Sequence, residues 1–459
     1  MSPPVASNRV LPTLNQDGSR RWIRPRLYPG KIWRARRIAA WVLMVLFVAV
    51  PWLEIGGKPV MLLDVVHREF TFFGTKFLAT DGVLLMLLML AIFVSVVLVT
   101  ALVGRAWCGW ACPQTVYLEF LYRPIERLFE GKREQQMELD KKGANLRRYL
   151  KNAVFLLISV VLGNAFLAYF VGSKALVHWV TGSPAEHPQA FLVMAAVSVL
   201  TFGDFAYFRE QMCTVVCPYA RLQSVLLDPR SLIVGYDARR GEPRAKGKPR
   251  PGVGDCIDCN ACVAACPTGI DIRQGLQLEC VACAQCADAC DSIMHKIKKP
   301  LGLIRYDAQQ SLETGIKARV LRPRVLIYVG ILAVLLIALV SVARARGSAE
   351  LTVLRGIGAP FELRDGLAQN QIRIKIRNRS EQTHRYRIDL EDAPAAKLIA
   401  PENPLEVTAG AQRSTSVFVM IPPNALVKGQ LAVEFRITDE AGFQVEAPYR
   451  LLGPEGEKP

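Results

Sequence analysis

The chain has 459 residues, 51% of them hydrophobic, and its 57 Lys and Arg outnumber 40 Asp and Glu for a formal charge of +17. This length and apolar content exclude a disordered chain or a single small domain, and the positive mean hydropathy of +0.22 points to a membrane protein. The 12 cysteines are too few for a disulfide scaffold of this length, and eight of them fall between Cys256 and Cys290, a crowding that points to metal.

Five stretches are apolar enough for the ~20-residue helix that crosses a bilayer. They run from Ile38 to Glu54, Val83 to Val103, Ala153 to Val171, Ala190 to Phe208 and Val325 to Val342. The first lies behind a polar arm, residues 1–37, without a clean cleavage site after it, so it reads as a retained anchor. Lys and Arg alternate strictly between the spans: nine in residues 1–37, three in 55–82, ten in 104–152, one in 172–189 and 18 in 209–324. The positive-inside rule then puts the amino terminus, the 104–152 loop and the 209–324 region in the cytoplasm, and the carboxyl-terminal region on the periplasmic side of a bacterial inner membrane. The charge excess is a topology signal. Nucleic acid is therefore not an expected partner, and in the basic stretch from Asp237 to Gly254 no aromatic residue is interleaved with the charges; membrane lipid is expected.

Two copies of Cys-x3-Cys-Pro follow the second and fourth spans. Cys108 and Cys112 lie in AWCGWACPQ, and Cys213 and Cys217 in QMCTVVCPYA, with Pro113 and Pro218 in register. Residues 38–117 and 153–222 therefore read as a weak internal duplication. On a helix an i, i+4 pair shares one face, so each motif is expected to present two sulfurs side by side, and four soft sulfurs suit Cu(I) or a redox-active dithiol. Asp204, near the end of the fourth span, is either a functional acid or a snorkelled carboxylate. The stretch from Asp237 to Gly254, rich in Arg, Lys, Pro and Gly, reads as a flexible tether beside the membrane.

Cys256, Cys259, Cys262 and Cys266 form Cys-x2-Cys-x2-Cys-x3-Cys followed by Pro267. Cys280, Cys283, Cys286 and Cys290 repeat the spacing, with Asp291 in place of the proline. This is the ligand run of bacterial two-cluster ferredoxins. Three thiolates wrap one cubane and geometry directs the fourth to the other, which assigns Cys256, Cys259, Cys262 and Cys290 to one 4Fe-4S cluster and Cys280, Cys283, Cys286 and Cys266 to the second. Structural zinc fits less well, since its Cys-x2-Cys knuckles pair across a longer insert. No Gly-x-Gly-x-x-Gly or P-loop supports a nucleotide or flavin, so another protein or a quinol is expected as electron donor.

Beyond the fifth span the character changes. Ile372, Ile374 and Ile376 alternate with Arg373, Lys375 and Arg377, and similar runs occur at Arg385–Leu390, Ser414–Ile421, Leu431–Ile437 and Gln444–Leu451. A small antiparallel β-sandwich is expected. None of the five histidines lies in a span, which argues against a haem held between two histidines inside the membrane. His67, His178 and His187 fall in the outer loops.

The run CIDCNACVAACPTGIDIRQGLQLECVACAQCADACDSIMHKI, followed by GLIRYD, together with both Cys-x3-Cys-Pro motifs, resembles the cytochrome c oxidase accessory protein family CcoG, also called FixG or RdxA, over nearly the whole chain. The resemblance implies a polytopic α-helical membrane protein with five spans, a cytoplasmic two-cluster ferredoxin-like insert and a C-terminal all-β immunoglobulin-like domain. The implied layout is a basic arm (1–37), a four-span membrane domain (38–228), a ferredoxin-type domain (229–324), the fifth span (325–342) and a periplasmic sandwich (343–459). It also implies two 4Fe-4S clusters, assembly factors or subunits of a cbb3-type cytochrome c oxidase as partners, and reduction of Cu(II) to Cu(I) for that oxidase. Cys108, Cys112, Cys213 and Cys217 would then be the catalytic, copper-handling thiols. A quinol dehydrogenase resembling other membrane ferredoxins, and a non-catalytic assembly scaffold, are the alternatives.

Overall fold

The computed structural model describes residues 12–454 apart from 16, 67–68, 74, 79–81, 144, 247–251, 318, 320, 346, 381 and 441; His67 therefore lies outside the described residues. The chain divides into two compact units, residues 1–339 and 340–459.

Five helices of the length and apolarity needed to cross a membrane occupy Lys31–Trp52, Gly82–Val103, Leu146–Val171, Pro188–Phe208 and Pro323–Arg344. The first begins ahead of the expected Ile38. Asp288, far away in sequence, accepts hydrogen bonds from the backbone N–H groups of Ile32 (3.2 Å) and Trp33 (2.7 Å), so the helix is capped from outside its own segment. Gly30 fits there because a Cβ on it would collide with the Asp288 carboxyl group.

The third and fourth spans pack closely where Gly163 meets Ser198, whose hydroxyl bonds back to the Met194 carbonyl at 2.8 Å. Small residues at such a crossing let two helix backbones approach. Aromatic rings fill the space beside it: Tyr122 stacks on Phe205 at 4.2 Å and meets Phe155 edge-on at 4.8 Å. One end of the bundle is tied together through polar groups. Arg322 pairs with Asp228 at 2.5 Å and donates to the Ala101 carbonyl, and the Ser231 hydroxyl reaches that same carbonyl at 2.9 Å.

The iron-sulfur insert sits at this end. Strands Leu232–Tyr236 and Ile304–Ala308 pair antiparallel and carry helices Ala261–Ala265 and Gln285–Lys296, with Val234, Ile270, Leu303, Ile304 and Met294 in a shared core. The described residues between 12 and 30 are no free arm but include a strap over this insert. Arg26 donates its N–H to the Ala264 carbonyl at 2.8 Å, and Ile23 is buried against Gly269. The expected flexible tether is likewise partly folded. Ala238–Gly241 is a helical turn capped by Asp237, and Asp255 returns its N–H to the Arg240 carbonyl at 3.0 Å.

The second unit holds a sandwich of two antiparallel sheets. One runs Lys397–Ile399, Gln412–Ile421, Leu367–Asn378, Ala349–Arg355, with Glu362–Arg364 also on Leu367–Asn378. The other runs Leu405–Val407, His384–Glu391, Gln430–Asp439, Gln444–Leu452. The strict alternation of Leu367–Asn378 sends Ile372, Ile374 and Ile376 into a core shared with Tyr386, Ile388 and Phe435.

Candidate functional site

All twelve cysteines are free of disulfides. In the insert, the two Cys-x2-Cys-x2-Cys runs fold alike. Asp258 and Asn260 flank Cys259 with φ of 51° and 56°, and Ala282 and Ala284 flank Cys283 with φ of 50° and 53°. A left-handed residue on each side of the central cysteine curls the chain into a cup and turns successive N–H groups to its inner side. For alanine this conformation costs about 1–2 kcal/mol, strain that persists only where something in the cup repays it.

Thiols of the two runs lie near enough to act on one another. Burial pushes the Cys286 thiol well above its ordinary range, and Cys283, Cys266, Cys280 and Cys262 add to the effect. Burial likewise raises Cys290 to about 12, reinforced by Cys262, Asp291, Cys256 and Cys259. Cys266 and Cys262 thus lie near Cys286 of the second run, and Cys290 lies near Cys262, Cys256 and Cys259 of the first. Cys262, Cys266, Cys280, Cys283 and Cys286 line a small apolar cavity whose other walls include Val234, Ile270 and Ile272. Five thiols without disulfide partners converge on this apolar cavity, and as thiolates they are the donors a cluster binds.

The four remaining thiols also lie near enough to act on one another. Burial pushes Cys108 up to about 12, with Cys112 and Cys217 contributing and Arg105 opposing. Burial raises Cys213 too, followed by Cys112, Cys108, Cys217 and Asp204. The backbone differs from the expected shared helix face. Cys108 lies in the helical turn Ala106–Trp110, but Cys112 is extended (φ −63°, ψ 125°) and opens the next helix, Pro113–Tyr117. Cys217 repeats this, with φ −68° and ψ 112° ahead of Pro218–Leu226. The prolines are the cause, since the residue before Pro is driven out of the helical region. In both copies the second cysteine donates its N–H five residues back, to Trp107 at 2.9 Å and Met212 at 2.8 Å, a π-type turn of the kind often found at functional sites. Cys108 Sγ donates to Gln223 Oε1 at 3.2 Å, and Gln114 donates to Asp204 at 3.0 Å. Among the described residues, no three or more His, Cys, Asp or Glu side chains form a ready site for a single ion, so the quartet is a neighbourhood of thiols and not a closed cage.

What joins the two centres was not legible from motif spacing. Gly109, between the cysteines of the first motif, lies so close to the second cluster loop that a Cβ on it would come within 2.6 Å of the Ala282 carbonyl oxygen and 2.8 Å of that of Val281. Trp110 donates its indole N–H to Tyr306 Oη at 2.9 Å, and Tyr306 donates to the Ala282 carbonyl at 2.5 Å. Arg36, from the first span, is buried and donates to the Gly109 carbonyl at 2.8 Å. Arg105 donates to the carbonyls of Leu278, Cys280 and Ala220. The one sequence signal was a mismatch in the duplication: Gly109 stands where the second copy has Thr214.

A buried ionic lattice braces the same region. Glu126 holds Arg209 at 2.8 Å and Arg24 at 2.5 Å, and Glu130 holds Lys151 at 2.8 Å. Glu119 pairs with Arg123 at 2.5 Å and accepts from Gln285, one residue before Cys286, at 2.7 Å. At the other end of the bundle, His187 stacks near Trp179 at 4.6 Å, remote in the fold from any cysteine motif.

Comparison with known proteins agrees with this anatomy. A family model described as 4Fe-4S dicluster domain matches residues 208–309, and one described as 4Fe-4S binding domain matches residues 85–133. A third, describing the IG-like fold at the C-terminal of FixG, matches residues 339–454. The nitrogen fixation protein FixG of Rhizobium meliloti is 32% identical over 95% of this chain and 94% of its own. The chain belongs to the FixG/RdxA family. Protein RdxA of Cereibacter sphaeroides is 33% identical over 80% of this chain and 82% of its own, and RdxB of the same organism 34% identical over 83% and 86%. As a FixG/RdxA member this is a membrane-embedded iron-sulfur electron-transfer protein with two 4Fe-4S clusters.

Proposed function

We propose that this FixG/RdxA protein is a cupric reductase that serves assembly of a cbb3-type cytochrome c oxidase. The observation that carries this reading is the seating of the Cys108–Trp110 turn on the Val281–Ala282 backbone, which sets a quartet of thiols against one group of cluster cysteines. In this reading Cys256, Cys259, Cys262 and Cys290 hold one cluster and Cys280, Cys283, Cys286 and Cys266 the other. The clusters supply one-electron transfer.

Cys108, Cys112, Cys213 and Cys217 receive the substrate ion. Their softness favours Cu(I) over Cu(II), and low-coordinate Cu(I) needs no more than two thiolates, so an unclosed quartet suits capture and release. Each turnover converts one Cu(II) to Cu(I) with one electron drawn from a donor protein or quinol. The thiols bind without being consumed. Arg36 and Arg105, buried beside the two centres, hold the interface shut. The alternation of basic residues between spans supports a cytoplasmic location for both centres and a periplasmic one for the sandwich, which is free to meet oxidase subunits or assembly factors.

The test is anaerobic reconstitution with Cu(II), following Cu(I) formation with a chelating dye. Replacing Cys108, Cys112, Cys213 and Cys217 by Ala abolishes dye-detected Cu(I) while iron content is retained. Undiminished reduction by that variant would overturn the role of the thiols.

A further inference from the structure

The two groups of cluster cysteines are not equally accessible. Cys259 is exposed, whereas none of the other eleven cysteines is. The group containing Cys280 and Cys283 is covered by the Cys108–Trp110 turn, and Cys259 belongs to the other group. An electron therefore has a side on which to enter, opposite the thiol quartet in the order of centres.

The surroundings of that entry carry a bias of charge. The nearby acids are paired with cations except Asp291, beside Cys290, which accepts the Gly302 N–H at 2.8 Å. Asp255 is held by Arg240 at 2.8 Å and Lys299 at 3.0 Å, Asp258 by Arg273 at 2.6 Å, Asp271 by Arg273 at 2.7 Å, and Glu242 faces Arg244 at 3.7 Å. Three lysines whose chain neighbours contact this group of cysteines are exposed and have no ion-pair partner among the described residues. Lys246 follows Ala245, whose N–H is donated to the Cys256 carbonyl at 3.4 Å. Lys296 ends the helix that carries Cys290. Lys298 precedes Lys299, the partner of Asp255. Three such lysines against the Asp291 carboxylate leave a net positive charge near the group of cysteines to which Cys259 belongs.

We infer that Lys246, Lys296 and Lys298 form a basic rim beside Cys259 that is the docking face for a small acidic one-electron carrier protein. The inference rests on the reading of Cys256–Cys290 as cluster ligands and is independent of copper. Docking transfers one electron from the reduced carrier to this chain, oxidising the carrier by one electron, with no proton or group exchanged. Complementary charge steers such an encounter and makes its rate fall with ionic strength.

The experiment uses the full-length protein in neutral-lipid nanodiscs, oxidised and copper-free, mixed anaerobically with reduced flavodoxin, a strongly acidic carrier. Stopped-flow bleaching of the iron-sulfur absorbance is expected to slow tenfold or more between low and high salt. It is expected to slow by a similar factor when Lys246, Lys296 and Lys298 are all replaced by Glu. Iron content and the visible spectrum of that variant show whether it is folded and loaded. Zero-length carbodiimide crosslinking supplies a readout apart from electron transfer, with Lys296 or Lys298 expected among the linked residues. Salt-independent bleaching, an undiminished rate in a loaded triple variant, or crosslinks confined to other faces would each overturn the inference. Adsorption of the rim to anionic vesicles that excludes flavodoxin would assign it to lipid and overturn it as well. Loss of copper reduction with bleaching intact would instead count against the proposed function alone.

Discussion

Gly109 and Ala282 meet backbone to backbone: a Cβ on Gly109 would lie 2.6 Å from the Ala282 carbonyl oxygen. Neither atom belongs to a flexible side-chain end, so the contact cannot relax locally. Gly109→Ala is expected to lever the Cys108–Trp110 turn off the cluster loop, at about 1–3 kcal/mol of overpacking cost. Cu(II) reduction should fall at least tenfold while iron per chain stays unchanged. Wild-type turnover by a folded Gly109→Ala protein would contradict the electron path drawn here.

Ala284 has φ of 53°, where a β-branched side chain is strongly disfavoured. Ala284→Val is expected to open the cup around Cys283 and Cys286. Iron should drop from about eight to about four atoms per chain, since the other group of cysteines is untouched. Ala284→Gly, which removes the steric objection to this φ, should retain full iron.

Glu126 governs acid stability. Burial opposes its ionisation, but Arg209, Arg24 and Lys151 overcome that opposition and hold its carboxyl well below the usual range. A lowered native pKa means that the stabilisation is complete above the unfolded value of about 4.3 and is lost as pH falls below it. Thermal unfolding in detergent should therefore show little change from pH 7 to 5 and a steep decline beneath about 4. Glu126→Gln should remove about 3–5 kcal/mol at pH 7, because it leaves buried cations uncompensated, and should flatten the acid limb.

Asp288 caps the first span from the helix Gln285–Lys296. Asp288→Ala is expected to cost about 0.5–2 kcal/mol of stability, the range for a lost N-cap. Iron release to a chelator should accelerate, with Asp288→Asn intermediate. Equal release rates for all three proteins would mean that the cap does not tie the insert to the span.

The five expected strands are all present, each extended by one to five residues, because alternation of apolar with polar residues states the buried face outright, most strictly in Leu367–Asn378. The strands Ala349–Arg355, Glu362–Arg364, Lys397–Ile399 and Leu405–Val407 were not read; three are too short for a period to show. Spans were legible from composition, but the start of the first at Lys31 was not, since its cap is supplied from residue 288. The ferredoxin spacing announced the chemistry of eight cysteines, yet nothing in Ala282 or Ala284 betrays a left-handed backbone of the kind glycine and asparagine usually occupy. For the Cys-x3-Cys-Pro pairs, repetition revealed a site and helical periodicity gave the wrong local geometry, because proline acts on the residue before it. The fold of the strap over the insert depends on contacts with Ala264 and Gly269 that only tertiary structure supplies.

That strap also dictates an order of events during biogenesis. Residues 12–30 leave the ribosome before any span, whereas Ala264, Gly269 and Asp288, against which the strap and the first helix start settle, follow only after four membrane crossings. The amino terminus must wait, uncapped, for most of synthesis. Closure of the iron-sulfur body is then a late step, available only to a chain whose first four helices are already inserted, and a fragment cut out at 229–324 lacks the partners that complete it.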